Sequence, residues 1–105
     1  MTKKVLTLSV AEPWFSKIVS GTKIEEYREI KPYWAQRLIE GHDKGLWVSG
    51  EACFKPFTHV LIINGYGANR PRIEKEIKSI TIGKPKKGLC PDKWLDKDFF
   101  VIKFK

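Results

Sequence analysis

The chain has no apolar run approaching the ~20 residues that a membrane-crossing helix requires, so no membrane partner is expected. Its two cysteines, Cys53 and Cys90, are too far apart for a C-x-x-C pair, and its two histidines, His42 and His59, stand alone. That spacing offers neither a zinc motif nor a disulfide framework, and neither a metal nor a cofactor is expected. Two widely separated thiols read as reduced cysteines of a cytoplasmic protein. Internal repeats, low-complexity tails and Pro/Gly/Ser-rich linkers are also missing, which excludes a solenoid and a two-domain layout. The one apolar stretch near the start, Val5 to Val10, is short and alternating, with no small-residue cleavage site. It reads as a first strand and not as a signal peptide.

What is present fits one domain. A chain of 105 residues buries roughly 65% of its unfolded surface, enough for one core. The apolar share of 42% is ordinary for a globular protein. The net charge is +8 and unevenly placed: residues 70–105 carry 11 basic and 5 acidic side chains, against 9 and 7 in residues 1–69. A basic face attracts polyanions. A lysine-rich solvated surface that keeps a small protein soluble accounts for the same numbers.

Leu6, Leu8 and Val10 share one face of the first strand. Glu12 to Val19 reads as a short helix, with Pro13 in its first turn, Trp14, Phe15, Ile18 and Val19 as its apolar stripe, and Gly21 as its left-handed end. Lys23 to Ile30 reads as a strand despite its charges, and Lys31-Pro32 breaks it. Tyr33 to Glu40 reads as a second helix ended by Gly41, and residues 41–56 as a loop with a short strand near Trp47-Val48. Phe57 to Asn64 is apolar on both faces at Val60-Leu61-Ile62-Ile63, the mark of a fully buried strand. Arg72 to Ile82 is ambiguous: Ile73, Ile77 and Ile80 fit a helix period, Ile80 and Ile82 a strand. Gly83 to Asp98 reads as a loop, and Phe99 to Lys105 as a closing strand with Phe100, Ile102 and Phe104 on one face. Strands outnumber helices and both helices come early. The expected class is α+β, a small, mostly antiparallel sheet or barrel with two helices at one side.

The densest chemistry lies in Ser20-Gly21-Thr22-Lys23-Ile24-Glu25-Glu26-Tyr27-Arg28. Opposite charges this close can hold one another and still present donors to an anion or a polar base. Arg28 offers a planar fork, Lys23 a point charge. Glu26 and Arg28, two apart, share a face of a regular strand, whereas Lys23 reaches that face only if the chain twists after Gly21. A salt-bridged cluster closing the mouth of a barrel is the structural alternative. Glu25 and Glu29 read as solvated, Tyr27 as core. Trp14, at the helix start, can stack on a base or pack the helix. Trp34, Trp47 and Trp94 read as structural. Asn64-Gly65-Tyr66-Gly67 follows the buried strand: Asn64 can read a base edge, or the segment is simply a turn. Arg70, Arg72, Lys75, Lys78, Lys84, Lys86 and Lys87 can track a phosphate backbone, or serve as a solvated strand edge that resists aggregation.

The order Pro13-Trp14, Ile18, Gly21-x-Lys23, Glu26, Arg28 resembles the ASCH domain, a branch of the PUA-like β-barrels. The resemblance extends through Lys31-Pro32-Tyr33-Trp34 with Arg37-Leu38, Asn64-Gly65-Tyr66, Ser79 to Gly83 and the final Phe-Val-Ile-Lys-Phe, and so covers nearly the whole chain. It implies a small β-barrel flanked by helices, with the motif facing a cleft, and Arg72 to Ile82 as a long, bent strand. By fold-level analogy it implies an RNA or nucleotide-type ligand in that cleft, held by Lys23, Glu26, Arg28, Trp14, Asn64 and Tyr66. One ASCH branch deacylates a modified cytidine through Gly-x-Lys-x-x-Thr-x-Arg, whose threonine is the nucleophile. Here Glu26 stands at the threonine position, which argues against that route. A hydrolase using Lys23, Glu26 and Arg28 on a modified nucleoside or on RNA is the alternative to a binding domain. A basic interaction module centred on Lys84 to Lys87 is the third reading.

Overall fold

The computed structural model describes residues 2–40 and 54–105. The expected strand near Trp47-Val48, the Gly41 helix stop, His42 and Cys53 lie outside those residues.

The elements run β1 (Val5–Ser9), α1 (Trp14–Val19), β2 (Glu25–Glu29), α2 (Pro32–Leu38), β3 (His59–Ile63), β4 (Arg72–Gly83) and β5 (Phe99–Phe104), with a 3-10 turn at Asp92–Trp94 before β5. Among the described residues the strands form one five-stranded sheet in the order β1-β3-β4-β5-β2. β1 runs parallel to β3 and the other three pairings are antiparallel. The α+β class therefore holds.

Each element has a local cause. In α1, the Glu12 carboxylate accepts from the Ser16 backbone N–H (2.9 Å) and hydroxyl (2.7 Å), supplying acceptors to the first turn. Phe15 and Ile18 turn inward, but Val19 is half exposed, so the inward stripe is narrower than the sequence pattern implies. Gly21 at φ +85° ends the segment in the left-handed region. α2 opens at Pro32 on an extended Lys31 and buries Ala35 and Leu38. The ambiguous stretch forms one twelve-residue strand, β4. Its first half pairs with β3 (Ile63↔Arg72 to His59↔Glu76) and its second half with β5, with a register shift between Ile77 and Ser79. That irregularity lets one strand turn from one neighbour to the next.

Leu6, Leu8, Val60, Ile62, Phe100 and Ile102 cover the inner face of the sheet, and α1 and α2 close it with Phe15, Ile18, Ala35 and Leu38. β3 is less enclosed than expected: Val60 and Ile62 are buried, while Leu61 and Ile63 are only partly covered. A second cluster, Tyr27, Cys90, Phe99 and Val101, lies under the loop carrying Leu89, Trp94 and Leu95.

Among the described residues the sheet curls partway but does not close into the β-barrel that the resemblance implies. β1 and β2 are its two edges and share no ladder. Register explains the gap. Glu26 stands opposite Ile102 and Arg28 opposite Phe100, so both charges point toward the inner, curled side. Inward-pointing charges discourage further strand pairing. The edges are bridged instead by a side chain, with Arg28 Nη2 donating to the Ser9 carbonyl at 2.8 Å.

Candidate functional site

Lys23 precedes β2, so the alternation of a strand does not govern it, and it reaches the same side as Glu26. The Glu26 carboxylate is held by two cations: Lys23 Nζ lies 3.3 Å from one oxygen and Arg28 Nη2 lies 3.2 Å from the other. Lys23 and Glu26 are buried, at 2% and 6% exposure. Lys23 also donates to the Leu89 carbonyl, and its ammonium sits 4.4 Å from the centre of the Tyr27 ring. Burial pushes its pKa below the ordinary lysine range, with the Glu26 charge and hydrogen bond opposing that shift.

A cleft of about 300 Å³ opens over this cluster, lined by Ser9, Val10, Ala11, Trp14, Glu26, Arg28, Leu89, Cys90, Pro91 and Trp94. Lys23 does not line it; it supports Glu26 from beneath. Trp14 forms one side, with Lys17 at 5.0 Å and Lys23 at 5.7 Å from its ring centre. Trp94, stacked on Phe99 at 5.0 Å, contributes a second indole. Arg28 Nε meets no acceptor among the described residues.

Two chemistries in the cleft are restrained. Burial raises the Cys90 thiol above its usual range, so it is a poor nucleophile at neutral pH. The Ser9 hydroxyl donates to the Gly65 carbonyl at 2.6 Å. Among the described residues no three His, Cys, Asp or Glu side chains gather to hold a metal ion.

The other sequence candidates fall elsewhere. Asn64 is buried and its amide is spent on structure: Nδ2 donates to the Val10 carbonyl at 3.1 Å and Oδ1 accepts from Arg70 at 2.6 Å. Arg70 also donates to the Asn64 carbonyl at 2.6 Å. It crosses closely over Gly65, where a Cβ would stand 3.2 Å from Arg70 Nε on a backbone already at φ +93°. Arg72 donates to the Gly67, Ala68 and Arg70 carbonyls and so holds the same turn. Lys84 pairs with Asp98 at 3.4 Å. Lys86 and Lys87 are exposed. None of Arg70, Arg72, Lys84, Lys86 and Lys87 lines the cleft. Tyr66 is 89% exposed and borders a second, larger concavity.

Glu25 corrects the expectation of a solvated carboxylate. It is buried, and one of its oxygens accepts the Tyr27 hydroxyl at 2.6 Å. The other oxygen has no partner among the described residues. Tyr27 is core, as its pattern implies, and its hydroxyl also accepts the Lys86 N–H at 3.1 Å. Burial first, and the Glu25 hydrogen bond next, raise the phenol far above its ordinary range. Glu29 is exposed.

Sequence reasoning missed Trp94 and Cys90 as cleft walls. Their positions depend on how the 84–98 loop folds back over Phe99 and Val101. No protein-family model, curated protein or solved structure matches this chain.

Proposed function

We propose that the chain is an ASCH-type, PUA-like domain that binds RNA or a nucleotide-type ligand, with a base seated in the cleft between Trp14 and Trp94. The observation that carries this reading is the cleft floor. Glu26, an acceptor, and Arg28, a donor fork, stand side by side at the base of a slot with indole walls. Every nucleobase carries adjoining donors and acceptors on its pairing edge, and base stacking on aromatics tolerates any base. A carboxylate has about four lone-pair sites, so Glu26 keeps acceptor capacity after engaging both cations. At about 300 Å³ the cleft is at the small end of ligand sites, the size class of one base or nucleoside.

The hydrolase alternative has weaker support. Glu26 is fixed between two cations, the Cys90 thiol is kept protonated, and the Ser9 hydroxyl is already donating.

The test is fluorescence anisotropy of a labelled short single-stranded RNA over a salt series, with wild type, Arg28→Ala and Trp14→Ala. Binding should weaken with salt and weaken further in both variants. Loss of one stacking platform, worth ~1–3 kcal/mol, corresponds to a ~5- to 150-fold drop for Trp14→Ala. Salt-sensitive binding indifferent to both substitutions would assign it to the basic surface and refute the cleft.

A further inference from the structure

Ser9 and Arg28 line two concavities. Besides the cleft above the ion cluster they border a groove of about 530 Å³ formed by Lys31, Tyr33, Trp34 and Arg37 on one side and the Ile63–Gly67 turn with Tyr66 on the other. The charge of this groove is one-sided. Among the described residues, Arg28, Lys31 and Arg37 line it and no carboxylate does. Elsewhere on the surface, Lys3, Lys84 and Lys105 each have a carboxylate within 3.4 Å, while other exposed lysines such as Lys86 and Lys87 have none among the described residues. Lys31 and Arg37 form no such pair among the described residues.

The cations are also pre-positioned. The Arg37 guanidinium lies 5.5 Å from the ring centres of both Tyr33 and Trp34, and Arg28 lies 5.2 Å from that of Trp34. Tyr33 meets Trp34 edge-on at 5.0 Å. These cation–π contacts restrain the Arg37 guanidinium, whose N–H groups meet no carboxylate among the described residues, whereas Arg28 Nη2 is already engaged by Glu26 and the Ser9 carbonyl. Arg37 and Lys31, with the exposed Tyr33 and Tyr66 on the two rims, make a site for a phosphate flanked by a stacking surface.

We propose that this groove is a phosphate subsite that receives the phosphate attached to the nucleoside in the neighbouring cleft, so that the ligand is a phosphorylated nucleotide or a strand and not a free nucleoside. The inference rests on the base-in-cleft reading, because the shared wall of Ser9 and Arg28 links the two sites. It also moves the phosphate contacts away from Arg70, Arg72 and the 84–87 lysines to Lys31 and Arg37.

The experiment compares four probes by isothermal calorimetry: a nucleoside, its 5′- and 3′-monophosphates, and the matching dinucleotide, for each common base. It uses wild type, Trp14→Ala and the double variant Lys31→Ala/Arg37→Ala. Both substituted groove residues are exposed, and circular dichroism verifies that the variants fold. In wild type a phosphate-bearing probe should bind roughly tenfold or more tighter than the nucleoside, the scale of a charge-assisted hydrogen bond. In the double variant that ratio should collapse toward one. Full gain with a monophosphate identifies a free nucleotide as sufficient; further gain with the dinucleotide identifies a strand. Equal binding of nucleoside and nucleotide in wild type, or a ratio that survives the double substitution, overturns the phosphate subsite while leaving the cleft reading standing. Phosphate binding with no nucleoside binding and no response to Trp14→Ala sinks the cleft reading and this inference with it. An acidic peptide that displaces the dinucleotide at equal concentration would also overturn it.

Discussion

Replacing Glu26 with glutamine exposes the electrostatic logic of the site. The carboxylate touches two cations, Lys23 at 3.3 Å and Arg28 at 3.2 Å, and Lys23 is 2% exposed. Removing one member of a buried ion pair costs about 3–5 kcal/mol, because the charge left behind is uncompensated. Glutamine keeps one acceptor oxygen, so the loss should fall near ~3 kcal/mol, a large share of the 5–15 kcal/mol that holds a domain together. The melting temperature should drop by about 12 °C or more. The deficit should also depend on pH. Burial holds the folded pKa of Lys23 below its ordinary value and Glu26 opposes that shift, so the variant lowers it further. A lysine that releases its proton more readily when folded makes the unfolded chain the stronger proton binder. Stability then rises with pH from the folded pKa up to the unfolded value of about 10.4. In Glu26→Gln this rise starts at a lower pH than in wild type, so the gap between the two should narrow from neutral toward alkaline conditions. Urea denaturation at several pH values between 7 and 10 measures it. A loss under about 1 kcal/mol, or a deficit flat with pH, would refute the idea that Glu26 compensates a buried Lys23.

Tyr27→Phe removes the hydroxyl donor of buried Glu25 and should cost about 1.5–3 kcal/mol near pH 8 by urea denaturation. Because the folded phenol holds its proton above the ordinary value, wild type loses stability as pH rises past about 10, and the variant lacks that component, so the two stability curves should converge there. Arg70→Ala deletes two 2.6 Å bonds to Asn64 and should lower stability by about 1–2 kcal/mol without changing the salt slope of RNA binding, measured by thermal melts and anisotropy. A reduced slope would return Arg70 to the phosphate contacts.

The parts of the fold legible in the sequence were those set by short-range pattern. Phe100, Ile102 and Phe104 alternate, and they do share the core face. Gly21 ends its segment in the left-handed region. Glu25 shows where such reading stops. A glutamate in a charged strand reads as solvated, but register sets it opposite Lys103 on the face that Tyr27 shares, and Tyr27 is covered by the loop through Cys90 and Leu95. Nothing local to residue 25 encodes that cover. Ile73, Ile77 and Ile80 fit a helix, yet pairing with two different strands overrides the period. Closure of a barrel was likewise undecidable from pattern, because it depends on whether β1 and β2 meet. The interleaved Tyr33, Trp34 and Arg37 were a visible signal of a basic, aromatic groove, but Trp34 read as packing alone.

A cluster of charges at the open edge of a sheet can serve stability or recognition, and one substitution set separates them. Breaking a buried ion cluster is costly, but replacing the whole of it with apolar side chains of similar volume is often neutral or stabilising by about 1–4 kcal/mol. Lys23→Met/Glu26→Leu/Arg28→Met performs that exchange. Ser9 and Leu89 lose a donor to their carbonyls, and both residues border the cleft, where water can supply one. If the charges are there for recognition, the triple variant should unfold at a urea midpoint equal to or above that of wild type, well above Glu26→Gln, while binding of RNA or nucleotide is lost. If the charges instead hold the edges together, the triple variant should be at least as unstable as Glu26→Gln. The cleft would then be a consequence of the closure, and its ion cluster would need no ligand to explain it.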